Sequence, residues 1–152
     1  MHSLKGTMTC HAVSNPRTRC TLQSRSNKNV VRRHTMLEDF IERIWTSLGP
    51  GFSERVYHNA LEVCLRTAGI PYETERVIPV MFEGHVLGNL RADLIVDHTT
   101  VVELKSVRAL KEEHEVQVRL YLRLLGLERG VLVNFPLTSS QRPEVKKISQ
   151  YM

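Results

Sequence analysis

The sequence has few of the features that mark secreted or membrane proteins. It has only three cysteines, Cys10, Cys20 and Cys64, an odd number with no framework, which favours a reducing compartment. The spacing of Cys10 and Cys20 does not match a zinc site, and no second pair is present. No apolar run is long enough to cross a bilayer, and the first residues lack the apolar core of a secretory signal. We therefore expect an intracellular protein, in the cytoplasm, with no membrane partner.

Acidic residues are absent from the first 37 positions, which hold seven of the 21 Lys and Arg residues. The rest of the chain has 14 basic and 16 acidic residues, so its net charge is −2 although the whole chain carries +5. We predict that residues 1–35 form a disordered basic extension. Two alternatives are an arm that contacts phosphates and a transit peptide that directs the protein to an organelle such as the mitochondrion.

Hydrophobic periodicity predicts one domain with an α+β mixed sheet, an architecture of the α/β class. The predicted helices are His34–Leu48, Phe52–Ala68 and Leu110–Leu125. The predicted strands are Tyr72–Phe82, His85–Val96, Val101–Val107 and Gly130–Phe135. The last strand follows a helix, so we expect it to lie parallel to the strand before that helix. We expect the folded domain at 36–136 and a polar C-terminal tail at 137–152, with a short helix or strand.

Two carboxylates and a lysine lie on adjacent predicted strands, among residues that should be buried. They are Asp93, Glu103 and Lys105. A buried carboxylate is costly unless it is paired or binds a metal. Side chains alternate along a strand, so Asp93 meets the other two only if the connecting loop has an odd number of residues. We expect a three-residue loop to set Asp93 opposite Lys105 and a five-residue loop to set it opposite Glu103.

Converging carboxylates beside an ammonium group suit Mg²⁺ or Mn²⁺ and the hydrolysis of a phosphodiester. The two acids would bind the ion, and the lysine would hold the nucleophilic water or stabilise the developing anion. The alternative is a Glu–Lys ion pair on a solvated sheet face, because D-x9-E-x-K is a short pattern.

Polar residues also interrupt the apolar stripe of the third predicted helix. His114, Gln117 and Tyr121 stand among Leu110, Val118, Leu124 and Leu125 at helical spacing. Buried polar groups need partners. These side chains could bind substrate phosphate near Lys105, or they could simply bond to backbone at the edge of the core.

Several blocks of the sequence resemble the GxxExxY family. The first is Gly51-Phe52-Ser53-Glu54-Arg55-Val56-Tyr57. Similar runs follow at Arg91–Val96, Val102–Lys105 and Val133–Phe135. The resemblance covers about residues 36–136, and several blocks in the right order are more specific than the acid–lysine pattern alone.

This family is placed in the PD-(D/E)xK nuclease-like superfamily. The resemblance implies a restriction-endonuclease-like core, α-β-β-β-α-β, here with one extra N-terminal helix. It also implies that Asp93, Glu103 and the carbonyl of Leu104 bind the metal, with Glu54 completing its shell, and that Lys105 serves the nucleophile. Gln117 and Tyr121 match polar helix positions of the superfamily. Ala92 stands where the name has a proline.

The function expected from these observations is a Mg²⁺- or Mn²⁺-dependent nuclease that acts on DNA rather than RNA. Because the body of the chain is acidic, a homodimer or the basic extension would have to supply charge for binding nucleic acid. The alternative is a non-catalytic module that binds nucleic acid or protein on the same fold. A ligand- or metal-sensing domain is a third alternative.

Overall fold

In the computed structural model, residues 36–151 are described. The predictions for residues 1–35 lie outside the described residues. The helices are α1 (36–48), α2 (Glu54–Thr67) and α3 (Glu112–Leu125). The strands are β1 (Tyr72–Phe82), β2 (His85–Val96), β3 (Thr100–Lys105), β4 (Arg129–Asn134) and β5 (Glu144–Ser149). Within the described residues, no helix is long and apolar enough to span a membrane.

The five strands form one sheet in the order β1-β2-β3-β4-β5. Strands β3 and β4 pair in parallel, as predicted, and the other neighbouring pairs are antiparallel. Strand β5 pairs with β4, so the tail contains a strand rather than a helix. Strand β1 lies at the other edge, and its register shifts between Val80 and Met81. Both features agree with the position of Pro79, which lacks a backbone donor.

Two apolar clusters cover the two faces of the sheet. Helices α1 and α2 pack on one face, with a cluster that includes Leu37, Ile41, Trp45, Tyr57, Leu61, Leu65, Leu94, Leu104, Val133 and Phe135. Helix α3 packs on the other face through Val118, Tyr121 and Leu122, against Ile78, Val101 and Leu132. Strand β3 therefore lies between helices on both faces, which explains why five of its six residues are buried.

The predicted apolar stripe of α3 is wrong at one position. Leu124 was expected in the core but is exposed, whereas Leu122 is fully buried. Leu122 lies four residues after Val118, so both side chains project from the face of α3 that approaches β4 at Gly130. A Cβ atom at Gly130 would lie 2.5 Å from Val118 Cγ1 and 3.4 Å from Leu122 Cδ1. Helix α2 is shorter than the predicted Phe52–Ala68, since it begins at Glu54 and Ala68 is its exposed C-cap.

Replacing Gly130 with alanine should destabilise the fold, because the new methyl group would overlap the short, buried side chain of Val118. We expect Gly130→Ala to lower the free energy of unfolding by about 1–3 kcal/mol, the usual cost of overpacking a core. Gly88→Ala is the matched control, because no atom lies within 4 Å of its Cβ position. Urea unfolding checks both variants. Equal stability of the two variants would contradict this packing.

Candidate active site

The site begins where β2 separates from β3. The antiparallel pairs are Val96 with Thr100, Ile95 with Val101 and Leu94 with Val102. Continued by one residue, this register puts Asp93 across from Glu103. The loop between the strands has three residues, 97–99. The predicted odd loop is therefore confirmed. The detail was wrong, because this three-residue loop sets Asp93 opposite Glu103, not opposite Lys105.

The turn itself explains the register. Asp97 and His98 have φ values of +51° and +55°, and the N–H of Thr99 donates to the carbonyl of Val96 at 3.2 Å. Two successive residues in the left-handed region are typical of tight hairpin turns, and Asp is one of the residue types that tolerates that region. The third loop residue makes the loop odd, which brings both carboxylates to one face.

Asp93, on β2, is held by a hydrogen bond from β3. Its Oδ2 accepts a hydrogen bond from the backbone N–H of Leu104 at 2.8 Å, and its second oxygen, Oδ1, is not used by that bond. On the other side of Asp93, in β1, Glu75 has a φ of +49°. The edge strand is therefore distorted beside Asp93. Leu104 thus contributes its N–H to the site. A role for its carbonyl in metal binding stays a prediction.

Glu103 and Lys105 form a buried ion pair at the centre of the sheet. The Nζ of Lys105 lies 2.6 Å from Oε1 of Glu103, and their side chains are 14% and 2% exposed. The other oxygen of Glu103, Oε2, is buried without a hydrogen-bond partner. An unsatisfied buried carboxylate oxygen is costly. It therefore marks a position where a ligand is needed, which a solvated surface ion pair would not.

The electrostatics of the pair separate the roles of its members. Burial and the nearby charge of Asp93 raise the pKa of Glu103 to about 7, although Lys105 opposes the shift. Burial lowers the pKa of Lys105, but the carboxylates of Glu103, Glu54 and Asp93 outweigh this effect and raise it above the ordinary lysine value. Lys105 is therefore a cation at neutral pH. It can donate hydrogen bonds and stabilise negative charge, but it cannot act as a base.

Glu54 approaches the pair from the first turn of α2. Burial raises its pKa, while the charge of Lys105 and a hydrogen bond with the backbone of Ser106 lower it, and the net shift is upward. The hydroxyl of Ser106 donates to the carbonyl of Phe52 at 3.1 Å. The residue after Lys105 thus ties the start of α2 to the end of β3. Ser53, the N-cap of α2, has an extended backbone but no side-chain capping bond.

The G-x-x-E-x-x-Y motif has a structural explanation. Gly51 has a φ of +96°, a value that side chains rarely tolerate. Tyr57 is fully buried, stacks on Phe135 at a centroid distance of 4.2 Å, and donates from its hydroxyl to the carbonyl of Gly49 at 2.7 Å. The glycine shapes the loop and the tyrosine anchors the helix to β4. Glu54, between them, is held beside Lys105.

Gln117 and Tyr121 connect α3 to the strand that carries Asp93. The amide of Gln117 donates to the hydroxyl of Tyr121 at 2.6 Å, and that hydroxyl donates to the carbonyl of Arg91 at 2.8 Å. Burial raises the pKa of Tyr121, and the charges of Glu103 and Asp93 add to the shift. Tyr121 therefore lies near the carboxylates and fixes β2, and Gln117 holds the tyrosine hydroxyl. Their contact with substrate stays a prediction.

His114 bonds to the backbone at the start of α3. The ring Nδ1 of His114 accepts from the backbone N–H of Lys111 at 3.1 Å. The backbone N–H of His114 donates to the carbonyl of Lys111 at 3.1 Å. This reciprocal pair caps the helix. It agrees with the alternative that His114 bonds to backbone, and substrate binding by His114 stays a prediction.

Sequence reasoning missed much of the cleft beside Asp93. A polar cleft of about 180 Å³ is lined by Glu54, Arg55, His58, Glu75, Arg91 and Asp93. His58 follows Glu54 by four residues, so both project from one face of α2, and this spacing was the available signal. Arg55, Glu75 and Arg91 gave no such signal, because only the packing of α2 beside the first hairpin brings them together.

Asn134 is a further residue that the sequence did not single out for the site. It is buried beside Lys105 on β4. Its Oδ1 accepts from the N–H of Val107 and its Nδ2 donates to the carbonyl of Val107, both at 3.0 Å. These two hydrogen bonds to the backbone of Val107 fix the chain just after Lys105. Asn134 is therefore a positioning residue.

Comparison with known proteins agrees with this geometry. The sequence profile described as the PD-(D/E)XK nuclease superfamily matches residues 32–148. The chain belongs to this superfamily. The superfamily suggested by the resemblance is thus confirmed. Assignment to the GxxExxY family rests on the motif residues themselves.

Two solved structures are similar to parts of this chain. The crystal structure of SSO0001 is 28% identical over 64% of this chain, with a TM-score of 0.51. The chain spans 50% of the length of that protein. The crystal structure of an alkaline exonuclease (LHK-Exo) from Laribacter hongkongensis is 17% identical over 78% of this chain and 69% of its own, with a TM-score of 0.44. A comparison with curated proteins finds no match.

Members of the PD-(D/E)XK superfamily generally use divalent metals, so we tested whether these residues fit one. In residues 36–151, no three His, Cys, Asp or Glu side chains form a ready metal cluster. Mg²⁺, however, is usually held by one or two carboxylates, with water and substrate phosphate as the other ligands. Asp93 and Glu103, whose Oε2 is buried without a hydrogen-bond partner, supply such a set. The residues fit the ion.

The raised pKa of Glu103 predicts a pH-dependent stability. Its folded pKa of about 7 lies above the ordinary value of 4.5. The folded state therefore binds more protons between these pH values, and stability falls as pH rises through the window. Glu103→Gln lacks this ionisation. Relative to wild type, we expect it to gain up to about 3 kcal/mol in free energy of unfolding between pH 4.5 and pH 8.

Urea unfolding of wild type and Glu103→Gln at the two pH values measures this difference. The comparison at pH 4.5 serves as the internal control, since it contains every effect of the substitution except the charge. A stability difference that does not change with pH would show that Glu103 ionises as it does in the unfolded chain.

Proposed function

We propose that this protein is a metal-dependent nuclease that hydrolyses phosphodiester bonds, with DNA rather than RNA as its substrate. The observation that carries the proposal is the carboxylate of Glu103. One of its oxygens is bonded to Lys105 and the other is buried without a partner, across from Asp93. Membership of a nuclease superfamily supports the same activity. The preference for DNA follows from the resemblance to restriction-endonuclease-like enzymes.

Each residue has a distinct part in this proposal. Asp93 and Glu103 would hold a Mg²⁺ or Mn²⁺ ion, and Glu54 would complete the set from α2. When bound, such an ion lowers the pKa of water and offsets charge on a phosphoryl group. Lys105, which stays protonated, holds the attacking oxygen by a hydrogen bond and stabilises the negative charge that develops on the phosphate. Gln117 and Tyr121 keep β2, and so Asp93, in position.

Cleavage assays on duplex DNA, single-stranded DNA and RNA test the activity. We expect cleavage of DNA with Mg²⁺ or Mn²⁺ and none with EDTA. Asp93→Ala and Lys105→Met should each lose about 100-fold or more in rate, the usual loss when a charged transition-state contact is removed. Lys147→Met is the matched control, because this lysine is exposed on β5. Full activity of both site variants would sink the mechanism.

Metal binding can be tested without turnover. We expect Mn²⁺ to raise the unfolding temperature of the wild type, by an amount equivalent to about 3 kcal/mol at 100 times its dissociation constant. The gain should be larger at pH 8 than at pH 5.5, because a raised pKa keeps Glu103 protonated at the lower pH. Asp93→Ala should lose the gain. A gain that survives in Asp93→Ala would place the ion elsewhere.

A non-catalytic nucleic-acid-binding module is the second candidate. The lack of a ready three-ligand metal cluster in residues 36–151 favours it. It predicts nucleic-acid binding that does not respond to Mg²⁺, together with no cleavage under any divalent ion. The same assays separate it from the nuclease.

A further inference from the structure

The β1–β2 hairpin extends well beyond the rest of the sheet. Its strands have 11 and 12 residues, whereas β3 has six. The ladder between β2 and β3 ends at Leu94 and Val102. From Asp93 back to the turn at residues 83–84, β2 therefore pairs only with β1 among the described strands. This projecting segment, 76–92, extends away from the carboxylates.

The two faces of the projecting hairpin differ. On the inner face, Ile78 is 3% exposed and belongs to the cluster with α3. Val77 and Met81 alternate with it and so point to the outer face, where they are 55% and 53% exposed. Val86 pairs with Met81, lies on the same face and is 58% exposed. The outer face is thus an open apolar strip. The inner face is packed around Ile78 and Ala92, whereas residues 81–89 are exposed throughout, with Phe82 and Leu87 at 60% and 66%.

Arg91 joins this strip to the active site. It pairs with Val77 in the hairpin register, so its side chain lies on the outer face. It also lines the polar cleft with Asp93 and Glu54. Among residues 36–151 its guanidinium has no ion-pair partner, whereas Arg55, which lines the same cleft, lies 3.9 Å from Glu75. An exposed, unpaired guanidinium beside carboxylates that would hold a metal suits a phosphate group.

We propose that the outer face of the β1–β2 hairpin binds the nucleic-acid strand on one side of the scissile phosphate. Arg91 contacts a phosphate next to the cut, and Val77, Met81 and Val86 contact the bases. Met is one of the apolar side chains that wedge between base steps in nucleic-acid complexes, and the two valines extend the same apolar surface. The inference rests on the proposed function, since it identifies the occupant of the strip as the substrate.

Charge and continuity favour nucleic acid over a second copy of the chain. Residues 38–152 carry a net charge of −2, so phosphate binding needs a local cation, and Arg91 provides one at the cleft. A self-interface on this face would leave that cation beside the same acidic cleft with no new anion. The strip also continues directly from the carboxylates, so a strand cut there has to pass over or beside it.

Fluorescence anisotropy of the full chain with labelled single-stranded and duplex DNA tests the surface. Ca²⁺ replaces Mg²⁺ so that binding is measured without turnover. We expect Met81→Glu and Val86→Glu to weaken binding by about tenfold, the size of one lost nucleic-acid contact. Arg91→Met should weaken it and lower the slope of log affinity against log salt by about 1, and Arg91→Lys should restore the slope. Val63→Glu is the matched control, since Val63 is 52% exposed on α2.

Two results would overturn the inference. One is DNA affinity in Met81→Glu and Val86→Glu equal to that of Val63→Glu, with circular dichroism showing all three folded. The other is a wild-type dimer that becomes a monomer in Met81→Glu, by analytical ultracentrifugation, while DNA affinity stays unchanged. That second result would make the face an interface between copies.

The outcomes also separate this surface from the proposed function. If the wild type cleaves DNA and the hairpin variants bind and cleave equally well, the nuclease stands and the hairpin surface is wrong. If the hairpin variants lose DNA binding but the wild type cleaves nothing under any divalent ion, the surface stands and the nuclease is wrong.

Discussion

The buried ion pair of Glu103 and Lys105 is the constraint on which the site depends. Strand β3 is central in the sheet and covered by helices on both faces, so these side chains cannot reach bulk water easily. Burying two charges costs several kcal/mol, and their mutual attraction offsets this cost only in part. The part of this cost that is not offset appears as the raised pKa of Glu103. Such a cost is typical of functional sites, where a ligand supplies the missing partner.

The surrounding structure holds this costly pair in place from three sides. Asn134 fixes the backbone after Lys105, and Tyr121 fixes β2 before Asp93 through the carbonyl of Arg91. Tyr57 fixes α2 so that Glu54 stays beside the polar cleft. Each of these residues acts through backbone contacts or packing. Polar residues near the carboxylates therefore divide into those that face the cleft and those that hold the frame.

The cleft combines acids that suit a metal with cations that suit a phosphate. Glu54 and Asp93 lie with Arg91 and His58 around one small space. This juxtaposition suits a phosphodiester better than a neutral ligand, because the acids would share an ion with the phosphate while the guanidinium binds it directly. The acidic average of the folded part therefore does not argue against nucleic acid, since recognition depends on where local cations such as Arg91 lie.

The sequence alone predicted the main helices and strands, and it made the meeting of Asp93 with Glu103 and Lys105 depend on an odd loop after β2. It could do so because strand alternation and turn chemistry act over a few neighbouring residues. The parallel pairing of β3 and β4 followed from the helix between them. Only the tertiary structure decided that Arg91, His58 and Asn134 join the site, that Leu122 rather than Leu124 is buried, and that 144–149 adds a strand. Those outcomes depend on how α2 and α3 settle against particular strands, such as the contact of Val118 with Gly130, and residues distant in sequence set that packing.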